Sequence, residues 1–138
     1  MGKILVIDDS DDYREYLMTL LRRDRYEVDS LPNGFGVAAR IKEGDVDAVI
    51  TDLYMPGADG FETISAVKQQ QPELPVIAVI GTSNSSDDCY LHLMKLLGAA
   101  AVLVKPVDET ALLDIVRRLV SPRPYPHQDI AHACARET

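Results

Sequence analysis

The chain has 138 residues, 46 % of them hydrophobic and 26 % charged, with a formal net charge of −8. That length holds one domain with its own core rather than two, and the composition excludes collagen-like, mucin-like and disordered chains. The acidic balance excludes nonspecific attraction to nucleic acid or to an anionic membrane by this segment, so cations or proteins are the expected partners.

Lys3 and the apolar run 4–7 fall far short of a signal-peptide core, and no stretch approaches membrane-spanning length. Val6 stands where a myristoylation signal wants Ser or Thr. A cytoplasmic protein is expected. The run 4–7 reads as a strand and leads straight into Asp8, Asp9, Ser10, Asp11 and Asp12. Ser10 is a good N-cap for a first helix whose inward stripe is Tyr13, Tyr16, Leu17, Leu20 and Leu21, with Asp11 and Asp12 favouring its first turn. Residues 26–31 form a weaker, more polar strand of the kind found at a sheet edge. The second helix is predicted over 35–42, after Pro32-Asn33-Gly34 and before Gly44.

A third strand spans 46–51 and presents Asp52 at its tip; a turn over 56–60 then starts a helix over 61–71 that stops before Pro72. The fourth strand is 76–80. The polar cluster 82–86 caps a fourth helix with Tyr90, Leu93, Met94 and Leu97 inward, before Gly98. After the fifth strand, 101–104, a fifth helix begins beyond Pro106 and buries Leu112, Ile115, Val116 and Leu119. Leu91 and Leu96 on the fourth helix, and Leu113 and Val120 on the fifth, lie outside these stripes and offer a dimer or partner face. Residues 1–120 are read as the domain and 121–138, opening with Ser-Pro-Arg-Pro-Tyr-Pro, as a C-terminal tail or truncated linker. Cys89 and Cys134 are too far apart, and too unaccompanied by His, for a metal site.

Strand and helix therefore alternate five times, which predicts an α/β fold: a single doubly wound parallel sheet of five strands with helices on both faces. In such a sheet ligands sit beyond the carboxyl ends of the strands. Asp8, Asp9, Asp52, the segment 81–83 and Lys105 all fall there. Three carboxylates brought that close need a cation, and hard oxygen ligands favour Mg²⁺. Lys105, just before Pro106, would face an anion arriving on a carboxylate; Asp52, alone at the tip of an apolar strand, is displayed as a nucleophile for phosphoryl transfer would be.

The segments IDD at 7–9, TDLYMPGADGFE at 51–62, PVIAV at 75–79 and LGAAAVLVKP at 97–106 together resemble the receiver domain of two-component response regulators, over about residues 2–120. The resemblance implies the flavodoxin-like strand order 2-1-3-4-5. It makes Asp52 the phosphoacceptor, Asp9 a direct Mg²⁺ ligand, Asp8 a ligand through water, and Tyr54 a ligand through its backbone carbonyl. Lys105 would pair with the phosphoryl group across a cis peptide to Pro106. Two positions depart from the pattern: Ile80 stands where receivers carry the hydroxyl that contacts the phosphoryl group, leaving Thr82 as the candidate, and Val102 stands where many carry a mobile aromatic.

The expected function is a phosphorylatable switch that accepts a phosphoryl group from a histidine kinase or phosphotransfer protein and changes partner binding. Such a domain catalyses its own phosphorylation and dephosphorylation, and is not an enzyme with a turnover substrate. The alternative is a degenerate receiver that binds proteins without phosphorylation. A flavodoxin-type flavin site is disfavoured because the aspartates after the first strand would repel a phosphate. A haloacid-dehalogenase-type phosphatase wants a second acid where Tyr54 stands. The expected homodimer face is the fourth helix, fifth strand and fifth helix.

Overall fold

Side chains of a strand point alternately to its two faces, and both faces are apolar in the runs 4–7, 48–50 and 76–80, so these three strands must be covered twice. The computed structural model describes residues 2–52, 60–80 and 98–120. Within them lie strands β1 (Lys3–Ile7), β2 (Glu27–Leu31), β3 (Ala48–Asp52), β4 (Val76–Ile80) and β5 (Ala101–Val104), and helices α1 (Asp11–Arg23), α2 (Val37–Lys42), α3 (Gly60–Gln70) and α4 (Glu109–Leu119). Every pairing is parallel and the order is β2-β1-β3-β4-β5, as expected, with β2 at an edge.

Ile4, Val6, Ile50, Ile77 and Val79 pack with Leu17, Leu20 and Leu21 of α1 and with Leu112 and Val116 of α4. Their alternates Leu5, Ile7, Val49, Ala78 and Ile80 pack with Val37 and Ile41 of α2 and with Ile64 and Val67 of α3. A one-residue slip of any strand would exchange these sets, so the two cores fix the register. That register, Ile7↔Thr51, Asp52↔Val79 and Ile80↔Val104, aligns the carboxyl ends of four strands along one edge.

The first helix starts at its predicted cap. The Ser10 hydroxyl accepts the Tyr13 N–H at 3.2 Å, and Asp11 and Asp12 occupy the first turn of α1. Asp108 caps α4 by accepting the Ala111 N–H at 2.9 Å. Other boundaries move for local reasons. α2 starts at Val37 rather than at 35, because Gly36 adopts φ 83°, which does not continue into a helix. Phe35 is left outside, 64 % exposed. At the end of α4 the expected burial is inverted: Leu119 is 37 % exposed and Val120, expected on the outer face, is only 7 % exposed. Val120 has left the helix for an extended conformation, φ −140° and ψ 127°, and the buried Tyr26 hydroxyl donates to its carbonyl at 2.7 Å. Ile115 is only half-buried. Tyr16 is likewise more exposed than its place in the predicted stripe implied, with its hydroxyl donating to the Val107 carbonyl at 3.4 Å.

The helix expected after the 82–86 cluster, most of the turn over 56–60, both cysteines and the tail 121–138 lie outside the described residues. Among the described residues no helix is long and apolar enough to cross a membrane.

Candidate functional site

Asp8 is the first residue past β1. Its N–H donates to the Leu31 carbonyl at 3.2 Å, extending the ladder to β2 by one bond, and its carbonyl accepts from Arg14 Nη1 at 2.7 Å. The carboxylate is thereby held inside, 1 % exposed, with Oδ1 accepting the Ser10 N–H at 2.9 Å. Asp52 closes β3 and is 5 % exposed. Asp9 faces solvent. Carboxylate oxygens of these three residues lie within 4.8 Å of one another.

Lys105 follows β5, with its N–H donating to the Ile80 carbonyl at 2.8 Å and the peptide to Pro106 in the cis form. Its Nζ stands 3.2 Å from Asp8 Oδ2 and 3.5 Å from Asp52 Oδ2, and 4.4 Å from the centre of the Tyr13 ring. Burial pushes the ammonium toward losing its proton, but the charges of Asp52 and Asp8 outweigh this, and its pKa lies above the ordinary lysine value. Lys105 is therefore a fixed positive charge across the neutral pH range.

Three hard oxygen donors, two sealed in protein and one open to water, fit a small divalent cation that keeps part of its hydration shell. That is the ligand set Mg²⁺ accepts and a soft metal does not. Asp8, Asp9, Asp52 and Lys105 are thus brought together as the sequence predicts. Tyr54 and Thr82 lie outside the described residues. Ile80 is fully buried in the core cluster on the α2 and α3 side, and Val102 packs half-buried against that cluster.

Sequence reasoning missed Tyr13 and Arg14. Tyr13 counted only as part of an apolar stripe, yet its hydroxyl accepts the Val107 N–H at 2.9 Å. Burial raises the pKa of that phenol, against the opposing effects of the Val107 bond and the Lys105 charge. The available signal was two tyrosines, which carry polar tips, three residues apart directly after an acid run.

The profile of the response regulator receiver domain matches residues 4–117. The transcriptional regulatory protein PcoR of Escherichia coli is 32 % identical over 121 residues, covering 87 % of this chain and 52 % of its own length. The protein PilH of Pseudomonas aeruginosa is 29 % identical over 123 residues, covering 88 % and 99 %. The crystal structure of the response regulator protein TrrA from Thermotoga maritima, in complex with Mg²⁺–BeF, matches with a TM-score of 0.76 at 28 % identity, over 87 % of this chain and 100 % of that one. Several curated relatives extend well beyond the match: the chain spans about half of their length or less.

Proposed function

Because the chain belongs to the response regulator receiver domain family of two-component signalling, we propose that it is a phosphorylatable switch with Asp52 as phosphoacceptor. A histidine kinase or phosphotransfer protein is the donor. The observation that carries the reading is the sealed pair Asp8 and Asp52, within 4.8 Å of Asp9 and sharing the Lys105 ammonium. Asp8, Asp9 and Asp52, with the Tyr54 carbonyl, would hold Mg²⁺, which when bound supplies charge neutralisation for the phosphoryl oxygens. That TrrA was solved with Mg²⁺–BeF supports such a site here.

In this reading an Asp52 carboxylate oxygen attacks phosphorus in line, forming the acyl phosphate O–P bond as the donor's P–N bond breaks. The imidazole leaves with that electron pair and is protonated. Lys105 leaves Asp52 to pair with a phosphoryl oxygen, and Asp8, sealed from water, keeps the ammonium at the site. Water later cleaves the acyl phosphate, restoring the carboxylate and releasing phosphate. The domain modifies itself and turns over no separate substrate. A cytoplasmic location fits such a donor, and Val104 and Leu119, both exposed on β5 and α4, support a homodimer through that side.

A second reading has one observation in its favour: Ile80, buried and apolar, replaces the hydroxyl that the resemblance puts at the end of β4. A degenerate receiver would keep the fold and bind partners without phosphorylation. Acetyl phosphate with Mg²⁺, read by intact mass, separates the two. The switch gives a phosphoryl adduct that Asp52→Asn abolishes. No adduct on the wild-type chain, from acetyl phosphate or from a kinase active on a control receiver, establishes the degenerate form.

A further inference from the structure

Lys105 has a third neighbour that neither carboxylate chemistry nor core packing accounts for. Its Nζ lies over the face of Tyr13, 4.4 Å from the ring centre, within the range where a cation is attracted by an aromatic quadrupole. The same tyrosine holds the chain just past Lys105, its hydroxyl accepting the Val107 N–H at 2.9 Å. One turn along α1, Tyr16 takes the other side of that residue, donating to the Val107 carbonyl at 3.4 Å, with the two rings 5.4 Å apart. A leucine at position 13 could fill the same half-buried space against the core; it could do neither of these things. α1 thus clasps the Lys105–Val107 segment at the ammonium and at the backbone.

The reason for a third partner lies in the other two. Asp8 and Asp52 are Lys105's ion-pair partners and also the carboxylates read as metal ligands. Once they are engaged by a divalent cation, Lys105 keeps only part of their attraction and faces a like charge a few ångströms away. An aromatic face attracts an ammonium without competing for the metal. We infer that Tyr13 is a positioning residue: its ring seats the Lys105 ammonium independently of the metal, and its hydroxyl fixes the loop from which that side chain reaches. The inference rests on the phosphoryl-switch reading.

The test combines a spectrum with a rate. Protons on the Lys105 Cε, held over the ring, resonate upfield of ordinary lysine, and the expected result is that Mg²⁺ alone leaves that shift in place. In Tyr13→Leu the shift is absent, and phosphorylation from acetyl phosphate slows about two- to tenfold, the range of one cation–π contact. Tyr13→Phe, which keeps the ring, retains the shift and recovers most of the rate. A phosphorylating wild type whose Lys105 signals lack the shift, or lose it on adding Mg²⁺, overturns the inference. So does Tyr13→Leu reacting at the wild-type rate, or Tyr13→Phe reacting as slowly as Tyr13→Leu. A wild-type chain that never takes up the phosphoryl group overturns the switch itself, and the Mg²⁺ arm then reports on the ring contact separately.

Discussion

Near the amino ends of β1 and β3, Lys3 and Arg40 face Asp29, Glu43 and Asp45. Arg40 contacts all three acids, at 2.7 Å for Asp45 and 3.2 Å for Glu43, and Lys3 reaches Asp45 at 3.2 Å and Asp29 at 3.5 Å. These carboxylates are 44 % exposed or more, so water shares the work of solvating them. Beyond the carboxyl ends, Asp8 and Asp52 are sealed, share one ammonium and have Asp9 close by. Acids in contact with their own cations and with water brace a fold. Acids gathered, buried and only partly neutralised hold free energy that a cation from solution can release. The same residue types thus brace the fold at one end of the sheet and form a candidate site at the other.

The largest effect should come from Lys105→Met. Without the ammonium, two buried carboxylates face each other, and the metal-free chain should lose about 2 kcal/mol of stability, less than the full cost for a deeply buried pair because Lys105 reaches solvent. Saturating Mg²⁺ should close that gap, since the variant binds the ion without a competing positive charge. Urea unfolding with chelator and with Mg²⁺ measures both. A loss equally large in the two conditions would put the carboxyl edge in the same structural class as the amino end. Asp9→Asn sharpens the contrast with a smaller effect of opposite sign. Removing one of three neighbouring charges should stabilise the metal-free chain by up to about 1 kcal/mol. It should also weaken Mg²⁺ binding about tenfold, as titration calorimetry would show.

How much of this could be read in the residues depends on how local the cause is. The β-branched runs 4–7 and 76–80 show through because a strand covered on both faces has no polar positions to blur it. The site follows directly, since parallel strands put Asp8, Asp52 and Lys105 at one edge once the strands are known. The clasp of α1 on Val107 does not show, because it joins residues 94 positions apart, and a tyrosine in an apolar stripe does not announce where its hydroxyl goes. Val120 departs from its expected outward place for a related reason. Helical spacing carried through the end of α4 sends it outward, whereas the extended backbone and the Tyr26 hydroxyl turn it in. The ion network likewise depends on β1–β2 register, which puts Asp29 opposite Leu5 within reach of Lys3 and Arg40.

The amino end supplies the smallest effects and the control for the rest. Arg40→Met should cost about 1 kcal/mol, as expected for a network whose acids are open to water rather than sealed, and the cost should not change with Mg²⁺. Asp45 gives the network a direct reading. Hydrogen bonds from Arg40 and then Lys3 hold its carboxyl down to about 2, from an ordinary 3.8. A folded-state pKa below the unfolded value means that the charged form is favoured by folding. The contribution is therefore complete above about pH 4 and disappears as pH falls through 2. Carboxyl ¹³C titration should place Asp45 near 2 in the wild-type chain and return it toward 3.8 in Arg40→Met, most of the way because Arg40 is the larger cause. An Asp45 that titrates near 3.8 in the wild-type chain would mean that this end is solvated rather than paired, and the contrast with the carboxyl edge would then rest on burial alone.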